Sequence, residues 1–258
     1  MLDRLPPPQR IGFEDIVEAL RFGRARFLAM PRSSIVYAGV FMLLGLVLLL
    51  AIGALGLSPL VLPFAGGFML LGPVLLAGYF ELALRYEQGR QISPAEAFRA
   101  FSRAPPELWM VALICAFLFL IWLTDAGVLY SFTLGGTHFG YDLAWLSEFG
   151  GDVLRFELWG SLMGAGLAYM IFVISAFSVP LVYERRTGMV EGIAASARAV
   201  LGNFTVCLGW GLVLGVVVMG SILLLPLLLV TLPVMAYASF HLYRRVFPPG
   251  GHVAQAAN

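Results

Sequence analysis

Three positions could place ionisable chemistry inside an otherwise apolar chain. Glu81 is followed four residues later by Arg85, the favourable order for an ion pair on one helix face. Asp125 ends one uncharged stretch, and His241 lies near the end of another. An ionisable residue within a membrane span marks a functional site by default. Each position also has a plainer explanation. Glu81 and Arg85 fit an interfacial pair, with a coupling or ligand role as the alternative. Asp125 fits the water-exposed boundary of its helix, and His241 fits a structural side chain one turn before Arg244 and Arg245.

The familiar catalytic and ligand sets are missing. The histidines are His138, His241 and His252, too few for a haem-copper catalytic core, whose metals need imidazoles from several spans. The sequence carries no HExxH, P-loop, GxGxxG opening a helix, Ser/His/Asp set or paired intramembrane acids. Cys115 and Cys207 lie in apolar stretches and form no CxxC pair, so they read as small apolar side chains. Arginines spread over the flanks of apolar runs give no nucleic-acid interface. The expectation is a chain with no catalytic residues, metal or cofactor. Its partners are membrane lipids, then a membrane protein or a second copy of itself.

The elements that must position these residues follow from charge spacing. Of 258 residues, 60% are hydrophobic and 12% charged, and mean hydropathy is +0.90. A soluble domain carries roughly one-quarter charged residues. No Asp, Glu, Arg or Lys occurs in residues 33–80, 108–124, 158–183 or 199–243. The last gap, as one helix, would run roughly 68 Å at ~1.5 Å per residue, against a hydrocarbon core of about 30 Å. It must fold back, and so must the first gap, where Gly56-Leu57-Ser58-Pro59 offers a turn.

The total is an all-α bundle of six spans, at about residues 34–57, 59–84, 108–132, 158–183, 204–224 and 226–245. Residues 1–33 form an N-terminal segment with an amphipathic helix, residues 34–247 the membrane domain, and residues 248–258 a disordered tail. All sixteen basic residues are arginine, and all but Arg155 fall on one side of the six crossings. The positive-inside rule then puts both termini in the cytoplasm. Residues 125–157, which hold five acids, become the one sizeable loop on the other side. The polar first thirty residues read as a surface helix and not as a cleavable leader.

An amphipathic segment precedes each pair of spans. The first places Phe13, Ile16, Val17 and Leu20 on one stripe along the membrane surface and stops at Pro31. The second opens with the capping-box pattern Ser93, Pro94, Glu96 and ends at Pro105-Pro106. The third runs from about Met189 to Leu201 and closes at Gly202-Asn203. A threefold pseudo-repeat would produce this alternation, as would a shared way of anchoring. Tyr86, Tyr183 and Tyr243 stand before charges at the ends of spans 2, 4 and 6 and read as interfacial anchors. Two G-x-x-x-G pairs, Gly160 with Gly164 and Gly211 with Gly215, read as helix-packing faces, and Gly67, Gly72 and Gly78 crowd span 2. Pro73, Pro180 and Pro233 should kink spans 2, 4 and 6.

Three stretches carry a family resemblance: GPVLLAGYFELALRYEQGRQISPAEAF, FVISAFSVPLVYERRTGMVEGIAASARAVLGN and LLPLLLVTLPVMAYASFHLYRRV. Taken in order, they resemble an uncharacterised bacterial family of integral membrane proteins, a domain of unknown function, some members of which are labelled cytochrome c oxidase subunits. The resemblance implies a multi-pass protein of the bacterial inner membrane and brings no catalytic residues with it. With so few histidines, the oxidase label would mean an accessory subunit. The functional expectation is therefore a non-catalytic accessory or assembly component of a membrane complex, a respiratory oxidase being one such complex. The alternative is a carrier or channel for a lipid or small apolar solute, built around the proline-kinked spans.

Overall fold

The computed structural model describes residues 6–57, 60–61, 76–135 and 151–249. Its regular elements are all helical. They begin with α1 (Phe13–Ala29), α2 (Pro31–Ala54), α3 (Ala77–Glu87), α4 (Pro94–Arg103) and α5 (Pro106–Leu134). They continue with α6 (Asp152–Ser175), α7 (Ser178–Tyr183), α8 (Met189–Gly202), α9 (Phe204–Leu223) and α10 (Leu228–Val246), a 3-10 turn at Leu225–Leu227 joining the last two.

Among the described residues, five stretches are long and apolar enough to cross a membrane: Pro31–Ala54, Pro106–Leu134, Val153–Tyr183, Phe204–Ser221 and Leu225–Val246. Most of the sixth expected crossing, residues 59–84, lies outside the described residues, as do Gly67, Gly72, Pro73, His138, His252 and residues 250–258 of the tail. The described end of that crossing is α3.

Packing follows the solvent that a bilayer provides. Val36, Val40, Leu43, Val47 and Leu50 of α2 recur at helical spacing and are exposed, as are Leu113, Phe117 and Leu120 of α5. Apolar stripes of that length would be a liability in water and are what acyl chains require. The interior is more polar. Tyr37, Tyr79 and Tyr237 are fully buried and meet edge to face, and the hydroxyls of Ser34 and Tyr237 are 2.8 Å apart. Hydroxyls within the spans also bond back to their own helix, as Ser175 Oγ does to Ile171 O at 2.7 Å, so no partner outside the chain is needed.

The most extensive helix contact joins α1 to α10. It corrects the stripe expected on α1: Ile16, Ala19, Gly23 and Phe27 are buried, whereas Phe13 and Val17 are exposed. The small residues decide the face. A Cβ on Gly23 would run into the backbone oxygen of Val234 and lie 3.0 Å from the nitrogen of Ala238, so only glycine lets these backbones approach so closely. Arg245 Nη2 closes the contact on Asp15 Oδ1 at 2.6 Å. The N-terminal segment is tied down too, because Asn203 accepts from the Ile11 amide at 3.0 Å and donates to Gln9 O at 3.2 Å. α4 docks on α3 and α2, and α8 on α6 and α7.

Of the three prolines expected to kink the spans, Pro180 lies beside a helix break. Proline lacks an amide hydrogen, so Pro180 cannot continue the ladder, and the helix parts at Ala176-Phe177 between α6 and α7. Ser196 of α8 repairs the break, since its Oγ donates to Val173 O at 2.7 Å and accepts from the Phe177 amide at 3.2 Å. Pro226 sits in the turn before α10, and Pro233 lies inside α10. Two expected boundaries move. Asp125 lies inside α5, about two and a half turns short of Leu134, and not at a helix end. Helix α6 begins at Asp152, six residues before the start expected for that crossing, which brings Glu157 into the helix.

Candidate functional site

At the arginine-rich end, carboxylates clamp the helices together. Glu81 Oε1 accepts from Arg85 Nε at 2.7 Å, and Glu81 Oε2 accepts from the Tyr183 hydroxyl at 2.6 Å, linking α3 to α7. Glu96, the residue expected in a capping box, is the hub of an ion cluster. Its carboxylate is 2.5 Å from Arg85 Nη2, 2.5 Å from Arg99 Nη1 and 2.9 Å from Arg103 Nη1. The Arg99 hydrogen bond is the largest of the effects holding its pKa below the usual carboxylate value.

A second cluster joins α7 to α10. Glu184 accepts from the Tyr243 hydroxyl at 2.6 Å and pairs with Arg244 at 2.6 Å. Arg186 donates to Tyr243 Oη at 3.0 Å and to the carbonyls of Phe247 and Pro248 at 2.7 and 2.8 Å. Burial pushes the Glu184 carboxyl above its usual pKa, against the pull of the Tyr243 hydrogen bond and Arg244. On α1, the Gly12 amide, 2.7 Å from Asp15 Oδ2, is the main cause of a lowered Asp15 pKa, with Arg245 adding to it.

The tyrosines read as interfacial anchors therefore part company. Tyr86 is 42% exposed, with the Arg26 guanidinium 4.1 Å from its ring centroid, a cation–π contact at the surface. Tyr243 is fully buried and Tyr183 partly so, because their hydroxyls are needed by Glu184 and Glu81. His241 stacks on Phe22 at 4.4 Å, with Nε2 3.6 Å from Glu18. Carboxylates already taken by guanidinium groups and phenols are poor proton carriers, so this end reads as a clamp. Among the described residues no group of His, Cys, Asp and Glu could hold a metal ion.

The bundle is open elsewhere. A groove of about 690 Å³ runs between α6 and α7 on one side and α9 and α10 on the other. That volume falls in the middle of the usual range for a small-molecule site, about 300–1,000 Å³. Its wall on α6 and α7 extends from Phe156 to Pro180. α6 and α9 are not among the helix pairs in extensive contact, although Tyr169 meets Phe204 edge to face at 6.0 Å near the arginine-rich end. Leu212 and Val216 line the groove and are 62% and 74% exposed, so it communicates sideways with whatever surrounds the bundle.

The two glycine pairs face this region in different ways. A Cβ on Gly164 would lie 2.7 Å from Trp122 Nε1, and one on Gly160 would lie 3.7 Å from Leu129, so that pair packs α6 against α5. Gly211 and Gly215 have nothing within 4 Å of a built Cβ and open into the groove. Sequence reasoning missed Glu157, which it treated as the last residue of a loop. Its spacing was the available signal: Glu157, Ser161, Ala165, Ala168 and Phe172 form one helical stripe, and all line the groove.

Residues 61–184, just under half of the chain, match a family model described as "Predicted integral membrane protein (DUF2189)". The matched description carries no oxidase label. No curated protein and no solved structure matches the chain. The matched stretch includes the Glu81 and Glu96 clusters and the α6 wall of the groove, whereas α1, α9 and α10 lie outside it. The chain is an integral membrane protein by family description and by its apolar helices alike.

Proposed function

We propose that this protein binds a lipid or small apolar solute in the groove between α6 and α9 and carries or holds it within the membrane. The arginine-rich end faces the cytoplasm of a bacterial cell in this reading, since basic flanks are retained on that side. The carrying observation is the groove itself. It is apolar and open to the side at Leu212 and Val216, and it lies among helices whose outer faces suit acyl chains. In the bilayer an apolar cleft of this size will not stay empty, and acyl chains are its nearest occupants.

Gly211 and Gly215 support the same reading. In lipid, glycine on a helix face serves close packing, yet these two meet no protein atom and leave room for a chain to lie against the α9 backbone. The alternative, an accessory component of a larger complex, draws on exposed apolar stripes that contact with lipid already explains. It gains no support of its own from them.

The test is a phospholipid with a photoactivatable group on its acyl chain, incorporated with the purified protein into vesicles. Crosslinks should map to α6 and α9, and the double substitution Gly211→Leu/Gly215→Leu should remove them. Crosslinks spread evenly over the outer faces of α2 and α5, unchanged by the substitution, would overturn the reading.

A further inference from the structure

We propose that the groove selects a phospholipid whose head ends in a primary ammonium group, and that Glu157 is the residue that recognises it. The inference rests on the lipid-binding reading above and adds the identity of the head.

Glu157 lies in the second turn of α6, at the end of the groove away from the arginine clusters, and lines it. Its Oε1 is shielded from solvent and has no hydrogen-bond partner among the described residues. Arg155, two residues earlier, projects about 200° round the helix and is not part of the lining. A carboxylate facing an apolar cleft is costly unless a cation or a donor reaches it. At the arginine-rich end the carboxylates Glu81, Glu96 and Glu184 each have such a partner within the chain, and Glu157 contrasts with them.

The surroundings narrow the choice of cation. Phe156, the neighbouring residue on α6, also lines the groove, so an aromatic ring accompanies the carboxylate, a combination that suits an organic ammonium. Ser161, one turn on, adds a hydroxyl on the same stripe. An ammonium with N–H groups can donate to Oε1, whereas a quaternary ammonium of equal charge cannot. The long apolar wall beyond Glu157 takes the acyl chain. The membrane is the source of the ligand, since the groove opens sideways at Leu212 and Val216.

The experiment is a competition read by native mass spectrometry. The detergent-purified full chain is offered ethanolamine-headed and choline-headed phospholipids with identical acyl chains. The wild type should retain the ethanolamine lipid about tenfold better, the worth of one charge-assisted hydrogen bond. Glu157→Gln should bring the ratio to about one, and a thermal-unfolding midpoint no lower than that of the wild type shows that the variant is folded. Equal retention of both lipids by the wild type overturns the head-group inference and leaves the groove reading standing. A preference that survives in Glu157→Gln overturns the assignment to this residue. Failure to retain either lipid, with Gly211→Leu/Gly215→Leu indistinguishable from wild type, overturns the groove reading itself.

Discussion

On the α1–α10 side of the bundle, Gly23 lets the backbone of one helix press against the next, with the Val234 carbonyl where a side chain would begin. Across the molecule, Gly211 and Gly215 of α9 offer the same kind of surface and meet nothing. The residue type is shared and the outcome is opposite. What differs is the clamp. α1 is pinned to α10 by Asp15 with Arg245, and the segment before α1 is tied to Asn203 at the start of α9, whereas α6 and α9 touch mainly near Tyr169 and Phe204. A small-residue face is therefore an opportunity for close approach, and polar ties elsewhere determine whether a neighbouring helix or a ligand takes it.

The closed side should break hardest when a clamp loses one partner. Arg244→Ala leaves the Glu184 carboxylate buried beside Tyr243 without its cation, and should cost about 3–5 kcal/mol. Thermal unfolding in detergent would show it as a large fall in midpoint. Gly23→Ala should cost about 1–3 kcal/mol, because the new methyl meets backbone that cannot step aside. In the same assay, a Gly23→Ala protein as stable as wild type would contradict the closeness of that contact.

Acid should loosen the closed side more gently. Asp15 and Glu96 have lowered pKa values, so the stability they contribute is full above the ordinary carboxylate range and is lost as pH falls through their lowered values. Glu184 has the opposite sign. Its raised pKa gives a contribution present at low pH and lost as pH rises through that raised value. The protection of α1 amides against hydrogen exchange, relative to the intrinsic exchange rate at each pH, should therefore fall on acidification in the wild type, and Asp15→Asn should remove most of that pH dependence. The open side should respond least. Gly211→Leu and Gly215→Leu add side chains to empty space and should change stability by no more than about 0.5 kcal/mol, while filling the groove.

Much of the fold could be read in the sequence because charge is so unevenly spread. The uncharged gaps mark the crossings, and the helices α1, α4 and α8 appear where amphipathic spacing and prolines put them. The Glu81–Arg85 pair was visible because both members share one helix. Contacts between distant segments were not visible. Tyr183 with Glu81, Tyr243 with Glu184, and Ser196 across the break at Phe177 join residues 19 to 102 positions apart, and no local pattern encodes them. Glu157 was hidden by the rule that found the spans. Ending a crossing at the first charge excludes a carboxylate that lies inside the helix.

The account depends most on the groove holding a lipid chain. Electron paramagnetic resonance of a phospholipid spin-labelled on its acyl chain, in vesicles with the reconstituted protein, tests this directly. Wild-type protein should show a motionally restricted lipid fraction larger than that of Gly211→Leu/Gly215→Leu, the difference being lipid excluded from the filled groove. Equal restricted fractions in the two proteins, both properly folded, would contradict it.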